Sequence, residues 1–181
     1  MKIDNKYSSF IDGKRIYLRD VRQEDVTESY YYWMNDPQIT KYTESHYYPS
    51  TIESIKQYVE EKQKYRNEIF LAILVKEDHH HIGNIKLGPI NWIHRNGDIG
   101  ILIGDKDYWG KGYATEAIDL IIKYAFKVLG LHKLTAGSIS SNKGSVKAFM
   151  NNNFEIEGVR KKHVFINGSY VDATLLGLIN E

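Results

Sequence analysis

Cysteine is missing from this chain of 181 residues, which excludes a disulfide framework, a thiolate metal site and a cysteine nucleophile. A charge excess is missing as well. Lysine plus arginine number 24 against 23 for aspartate plus glutamate, so no net field draws nucleic acid or a membrane surface. No apolar run reaches the length of a membrane span, and Met1 to Phe10 is too polar for a signal peptide. The expected location is therefore the cytoplasm. Repeats, linkers and low-complexity tracts are lacking too, and the length suits one domain, residues 1–181, with a single substantial core.

What the chain has in abundance is tyrosine, 14 in all. Tyr30, Tyr31, Tyr32, Trp33, Tyr42, Tyr47 and Tyr48 crowd one segment. Neighbouring helical residues point about 100° apart, so consecutive aromatics cannot all enter one core. They either pack at a surface or subunit contact, or face a substrate.

The periodicity alternates between strand and helix along the chain. After a polar lead-in over residues 1–14, Arg15 to Arg19 alternates as an edge strand. Gln23-Glu24-Asp25 puts acids in a first helical turn, opening a helix that runs to about Met34 and stops at Asn35-Asp36-Pro37. Ser50-Thr51-Ile52-Glu53 reads as a capping box for a helix ending at about Arg66, with Ile52, Ile55 and Val59 as its buried stripe. Ile69 to Val75 is a continuous apolar run and the most central strand. Ile82 to Leu87 returns antiparallel to it. Adjacent His79, His80 and His81 lie in the intervening turn, where alternation aims them apart, and they read as solvent-facing rather than as metal ligands. Pro89 to Gly97 is a turn-rich connection holding Trp92 and His94.

Ile99 to Leu129 organises the rest. Ile99 to Ile103 is a buried strand closed by Gly104. Gly110, Lys111, Gly112 and Tyr113 then lead into an amphipathic helix whose apolar face is Ala114, Ala117, Ile118, Ile121, Ile122, Ala125 and Val128. Acids early, lysines late and Gly130 beyond suit the helix dipole and a glycine stop. A helix start offers unpaired amides, and glycines let a phosphate approach them; the competing reading is a tight turn needing glycine only for its dihedrals. Lys133 to Ile139 is a further strand. Ser141 or Asn142 caps a helix carrying Val146, Phe149 and Met150. Phe154 to Glu157 and Lys162 to Ile166 read as two strands, the second joined through the hairpin signal Asn167-Gly168 to Tyr170–Leu178.

YWGKGYATEAI, residues 108–118, resembles the acetyl-CoA pyrophosphate loop of the GNAT superfamily of N-acetyltransferases, whose pattern is Gln/Arg-x-x-Gly-x-Gly/Ala. Gly112 and Ala114 fall on the small positions, and Trp109 stands where Gln or Arg is usual. Tyr108 to Gly112 is similar to the branch of ribosomal-protein alanine and spermidine acetyltransferases. Asn142-Lys143-Gly144-Ser145 with Phe149 and Asn153-Phe154, INWIHRNGDIGI and the closing VFINGSYVDATLLGLI resemble that branch as well. The likeness spans Arg15 to Ile179. It implies an α/β (α+β) GNAT-like domain: a central, mostly antiparallel sheet, about four flanking helices and splayed strands at the cofactor site. Residues 21–66 would form the acceptor side and 98–153 the acetyl-CoA core.

The resemblance implies acetyl-CoA as cosubstrate, no metal, direct attack by a primary amine, and a homodimer. Ile101, Leu102 and Ile103 would hold the pantetheine arm and oppose the carbonyl charge. Trp109, Gly110, Lys111, Gly112, Tyr113, Ala114, Thr115, Asn142 and Phe149 would complete the cofactor site. An alkyl amine is protonated at neutral pH, and freeing its lone pair costs roughly 4 kcal/mol, so a base is needed. Asp98 and His163 are its candidates, ahead of His94. Asp98 could instead pair with Arg95 or Lys111, and His163 could simply lie on the surface. The family's usual acidic tyrosine falls at Phe149, which has no proton to give; Ser145 could serve the departing sulfur or merely cap its helix. Tyr31, Trp33, Tyr47 and Asn84 are the expected acceptor contacts. The acceptor is expected to be a small molecule such as an amino sugar or sugar nucleotide, with a polyamine or a protein N-terminus as alternatives. A CoA-binding sensor without turnover is the reading from another class, favoured by Phe149 and Trp109.

Overall fold

The computed structural model describes residues 8–64 and 66–181. Eight strands of the described residues form one sheet: β1 (Ile11–Asp12), β2 (Ile16–Asp20), β3 (Ile69–Val75), β4 (His81–Asn91), β5 (Asn96–Ile103), β6 (Lys133–Ile139), β7 (Glu155–Ile166) and β8 (Ser169–Ile179). They lie in the order β1-β2-β3-β4-β5-β6-β8-β7, and the pairings are antiparallel except β5 with β6. Five α-helices accompany them: α1 (Glu28–Asn35), α2 (Pro37–Thr40), α3 (Ile52–Lys64), α4 (Tyr113–Lys127) and α5 (Lys143–Met150). None is long and apolar enough to cross a membrane.

Burial explains the apolar runs. β3 is covered on both faces: Leu71 and Ile73 join the cluster under α4 and α5, while Ala72 and Leu74 join the cluster under α1–α3. Alternate side chains of an extended strand must point to opposite faces, so a strand buried on both sides reads as unbroken hydrophobic sequence. α4 buries Ala117, Ile118, Ile121 and Ala125 in the first cluster, as its three-and-four spacing requires. Gly130, at φ +64°, ends it. Asn167 and Gly168 both take positive φ between β7 and β8, the geometry a two-residue hairpin turn needs. Asn153, at φ +63°, takes the left-handed backbone that asparagine tolerates better than most residues.

Several local expectations are corrected. Gln23–Asp25 forms a 3₁₀ turn, and α1 starts only at Glu28. The Asp25 carboxylate is already committed: it accepts from the Arg22 amide at 2.7 Å and from Arg19 Nη1 and Nη2, each at 2.7 Å. The cap of α3 is Thr51 with Ser54, each side-chain oxygen accepting from the other's amide, in place of Ser50 with Glu53. β4 continues past Pro89 to Asn91 through a register shift between Leu87 and Ile90, since proline lacks a ladder donor. β7 is one strand, not two, with irregular pairing between Arg160 and Val164. The three histidines each have a partner: His79 Nδ1 pairs with the Tyr17 hydroxyl at 3.1 Å, His80 with Asp105 at 2.7 Å, and His81 with Asn84.

Candidate active site

β5 and β6 pair only over Asn96–Lys133, Gly97–Leu134 and Asp98–Thr135. Beyond Asp98 the strands part, so the edge of β5 from Ile99 to Ile103 faces a cleft instead of a neighbour. The loop after β5 lies at the mouth of this opening. A short 3₁₀ turn at Lys106–Tyr108 is tied by the Asp105 carboxylate, which accepts from the Asp107 amide. The chain then passes Gly110 at φ +70° and enters α4 through Gly112 at φ +82°. A side chain other than glycine is strained in that left-handed region.

Among the described residues, no protein acceptor takes the main-chain NH groups of Gly110, Lys111, Gly112, Tyr113, Ala114 or Thr115; the first bond of the helix runs from Glu116 to Gly112. These amides converge where the helix carries its positive end, an arrangement suited to a diphosphate. Arg15 and Glu116 brace the loop from behind. The Glu116 carboxylate accepts from the Lys14 and Arg15 amides and from Arg15 Nε at 2.8 Å. Arg15 Nη1 donates to the Lys111 carbonyl at 2.9 Å. Burial would raise the Glu116 carboxyl, and the Arg15 amide and guanidinium overcome it and hold it below the usual range.

One cleft of about 1400 Å³ runs from this loop along β5 into the aromatic side of the molecule. Of the residues proposed for the cofactor, Ile101, Leu102, Ile103, Trp109, Gly110, Gly112, Tyr113, Ala114, Thr115, Asn142 and Phe149 line it. Lys111 is not among the lining residues; it is exposed, with its ammonium 5.9 Å from the Tyr108 ring centroid. The Trp109 indole donates to the Ile103 carbonyl at 2.8 Å and so closes the end of β5. Phe149 is also a core residue, packed edge-on against Phe154. Asn142 caps α5 by accepting from the Ser145 amide, which leaves the Ser145 hydroxyl with no protein partner among the described residues.

Of the base candidates, His163 lies in the cleft wall, 3.4 Å from Arg160. Asp98 lies outside that wall, where its carboxylate accepts from the Thr135 hydroxyl at 2.8 Å and burial raises its pKa. His94 is exposed in the β4–β5 turn, away from the cleft. Of the expected acceptor contacts, Tyr47 and Asn84 line the cleft. Tyr31 and Trp33 do not: Trp33 is buried, and a Cβ at Gly104 would fall 2.1 Å from its ring, so this tryptophan locks α1 against the end of β5. Tyr42 and Tyr47 reach across the cleft, donating to the Ser141 and Phe165 carbonyls. Tyr30, from the tyrosine-rich segment, lines the cleft too, and so do Tyr58, Phe70 and Lys86, which sequence reasoning passed over. The one signal was Lys86, a charge interrupting the apolar strand two residues after Asn84.

Residues 15–155 match the acetyltransferase (GNAT) domain family. The probable N-acetyltransferase YjcK of Bacillus subtilis (strain 168) is 30% identical over 180 residues, covering 94% of this chain and 97% of that protein. Spermidine N(1)-acetyltransferase of Escherichia coli (strain K12) is 29% identical over 159 residues, covering 87% of this chain and 82% of its own length. The crystal structure of spermidine N-acetyltransferase from Vibrio cholerae, in complex with CoA and spermine, superposes with a TM-score of 0.81 at 24% identity, over 91% of this chain and 95% of that one. Splayed strands, a helix start with open amides and these likenesses coincide, and the chain belongs to the GNAT family of acetyl-CoA-dependent N-acetyltransferases.

Proposed function

We propose that this enzyme acetylates the primary amine of a small molecule, an amino sugar or sugar nucleotide. The observation that carries this reading is the single cleft joining the open amides of Gly110–Thr115 to an aromatic acceptor end crossed by Tyr42 and Tyr47. Acetyl-CoA supplies a thioester open to attack by an amine. The loop amides hold its diphosphate, and the free β5 edge from Ile101 to Ile103 orients its arm and faces the carbonyl oxygen. His163 takes the proton from the ammonium, directly or through water, and the Ser145 hydroxyl donates to the sulfur. Phe149 supplies no proton, so Ser145 replaces the tyrosine of relatives in this scheme. The same reading includes a cytoplasmic location and a homodimer, the latter checked by sedimentation.

A polyamine acceptor is the second reading, favoured by the E. coli relative. Thiol release from acetyl-CoA, followed over a panel of amino sugars, sugar nucleotides, spermidine and N-terminal peptides, separates these acceptors. His163→Ala should lower turnover most below the pKa of the amine, where a base matters. An unchanged pH–rate profile clears His163, and Asp98→Asn then becomes the informative variant.

A further inference from the structure

Asn84 and Lys86 stand two residues apart on β4, on one face, and both line the acceptor end of the cleft. Asn84 is 5% exposed, and how its amide is turned can be settled by chemistry alone. His81 Nε2 lies 2.9 Å from the Gly83 carbonyl and 2.9 Å from Asn84 Oδ1. A carbonyl only accepts, so Nε2 must carry the proton, and the group Asn84 turns toward it must be its oxygen. The Asn84 NH₂ therefore points the other way. It has no protein partner among the described residues and is not sealed off as a buried unpaired group.

His81 is itself held. Its ring meets Tyr30 and Trp33 edge-on, at centroid distances of 5.9 and 5.2 Å. Burial lowers its pKa, which keeps the imidazole neutral with a single N–H to direct. Lys86 is half-buried, 4.0 Å from Glu68, a carboxylate that Lys62 approaches to 2.5 Å. The charges around the cleft agree with a donor-rich wall. Among the described lining residues, Lys41, Lys86, Lys147 and Arg160 are cationic, and Glu44 is the one carboxylate. Lys147 lies on α5, toward the donor; Lys41, Lys86 and Arg160 belong to the acceptor side. A polycation would meet repulsion here, and a bare amine would leave the Asn84 NH₂ without an acceptor.

We infer that the acceptor amine carries an anionic group, a carboxylate or phosphate, received by the Asn84 NH₂ and the Lys86 ammonium, with His81 as the positioning residue that turns the Asn84 amide. This inference rests on the small-amine reading above and narrows it.

Matched amines test it: glucosamine 6-phosphate against glucosamine, and L-lysine against cadaverine, with spermidine as the polycation. The anionic member of at least one pair should have a kcat/KM about tenfold higher or more, as a charge-assisted hydrogen bond gives. Lys86→Met should shrink that ratio to within about threefold. Asn84→Ala should raise the acceptor KM about tenfold while the KM for acetyl-CoA moves less than about twofold. His81→Phe should reproduce Asn84→Ala, the double variant should be no worse than either, and His81→Gln, which keeps an N–H, should recover most of the loss. Thermal unfolding of each variant separates a folding defect from these effects. Preference for spermidine, or no advantage of either anionic member over the partner that lacks the anionic group, overturns the inference and leaves N-acetyltransfer to a small amine standing. Equal rises in both KM values for Asn84→Ala overturn it as well. If no amine is acetylated, the small-amine reading fails, and calorimetric titration of the same pairs into the protein–CoA complex decides the inference: tighter binding of an anionic member supports it, and equal or no binding overturns it.

Discussion

The two ends of the cleft are built from different material. At the donor end the ligand-facing groups are main-chain amides, presented by two glycines at positive φ and the first turn of α4. At the end proposed for the acceptor, the lining groups are side chains: Tyr30, Tyr58, Asn84 and Lys86, backed by His81 and the Arg19–Asp25 pair. Backbone donors depend on conformation more than on residue identity, so they suit a ligand common to a whole family. Side-chain donors change with single substitutions and suit a ligand that differs between relatives. The acceptor end is where it must be read on its own terms.

That contrast can be broken at either end. The largest effect is expected from Gly112→Asp, which forces a side chain into a left-handed backbone and sets a carboxylate against the phosphates. CoA affinity measured by calorimetry should fall about a thousandfold, or about 4 kcal/mol. Retained affinity would remove the loop from the site.

Next comes Asp25→Ala beneath the acceptor end. Arg19 and Asp25 are both buried, and removing the carboxylate leaves a guanidinium without its partner, so denaturant unfolding should show a loss of about 3 kcal/mol. Burial by itself raises the Asp25 carboxyl; the Arg19 guanidinium and the Arg22 amide overcome it and hold it below the usual range. Its contribution is therefore present above the unfolded carboxylate value and is lost as the pH falls through the lowered native one. Wild-type stability should drop below about pH 4 more steeply than that of Asp25→Ala.

Gly104→Ala should cost about 2 kcal/mol, because its Cβ meets the buried Trp33 ring and must push α1 off the sheet. The smallest effect is expected from Tyr47→Phe, which deletes the hydroxyl bridging to Phe165. Acceptor KM should rise about threefold with acetyl-CoA KM unchanged. Equal changes in both would make Tyr47 a support of the fold.

Short-range rules carried the sequence reading far where the determinants are local. Asn167-Gly168 announced its hairpin, Gly112 the start of α4, and Asn142 the cap of α5. The misses share a cause. The helix expected from Gln23 breaks because Asp25 bonds to Arg19, six residues away on a strand. Pro89 sits inside β4 because an irregular register absorbs it. Trp33, expected to touch the acceptor, is instead the wedge that fills the space above Gly104. His81, read as facing water, is packed between two aromatic rings from α1.

The sequence by itself determined the periodic elements, the glycine turn into α4 and the family, because these depend on neighbours within a few residues and on dihedral preferences written into single residue types. Tertiary structure alone decided that β5 and β6 separate after Asp98, that Asp98 turns to Thr135 while His163 faces the cleft, and that His81 orients Asn84. Those outcomes depend on which distant strands and rings come within hydrogen-bonding distance, and no local pattern encodes that.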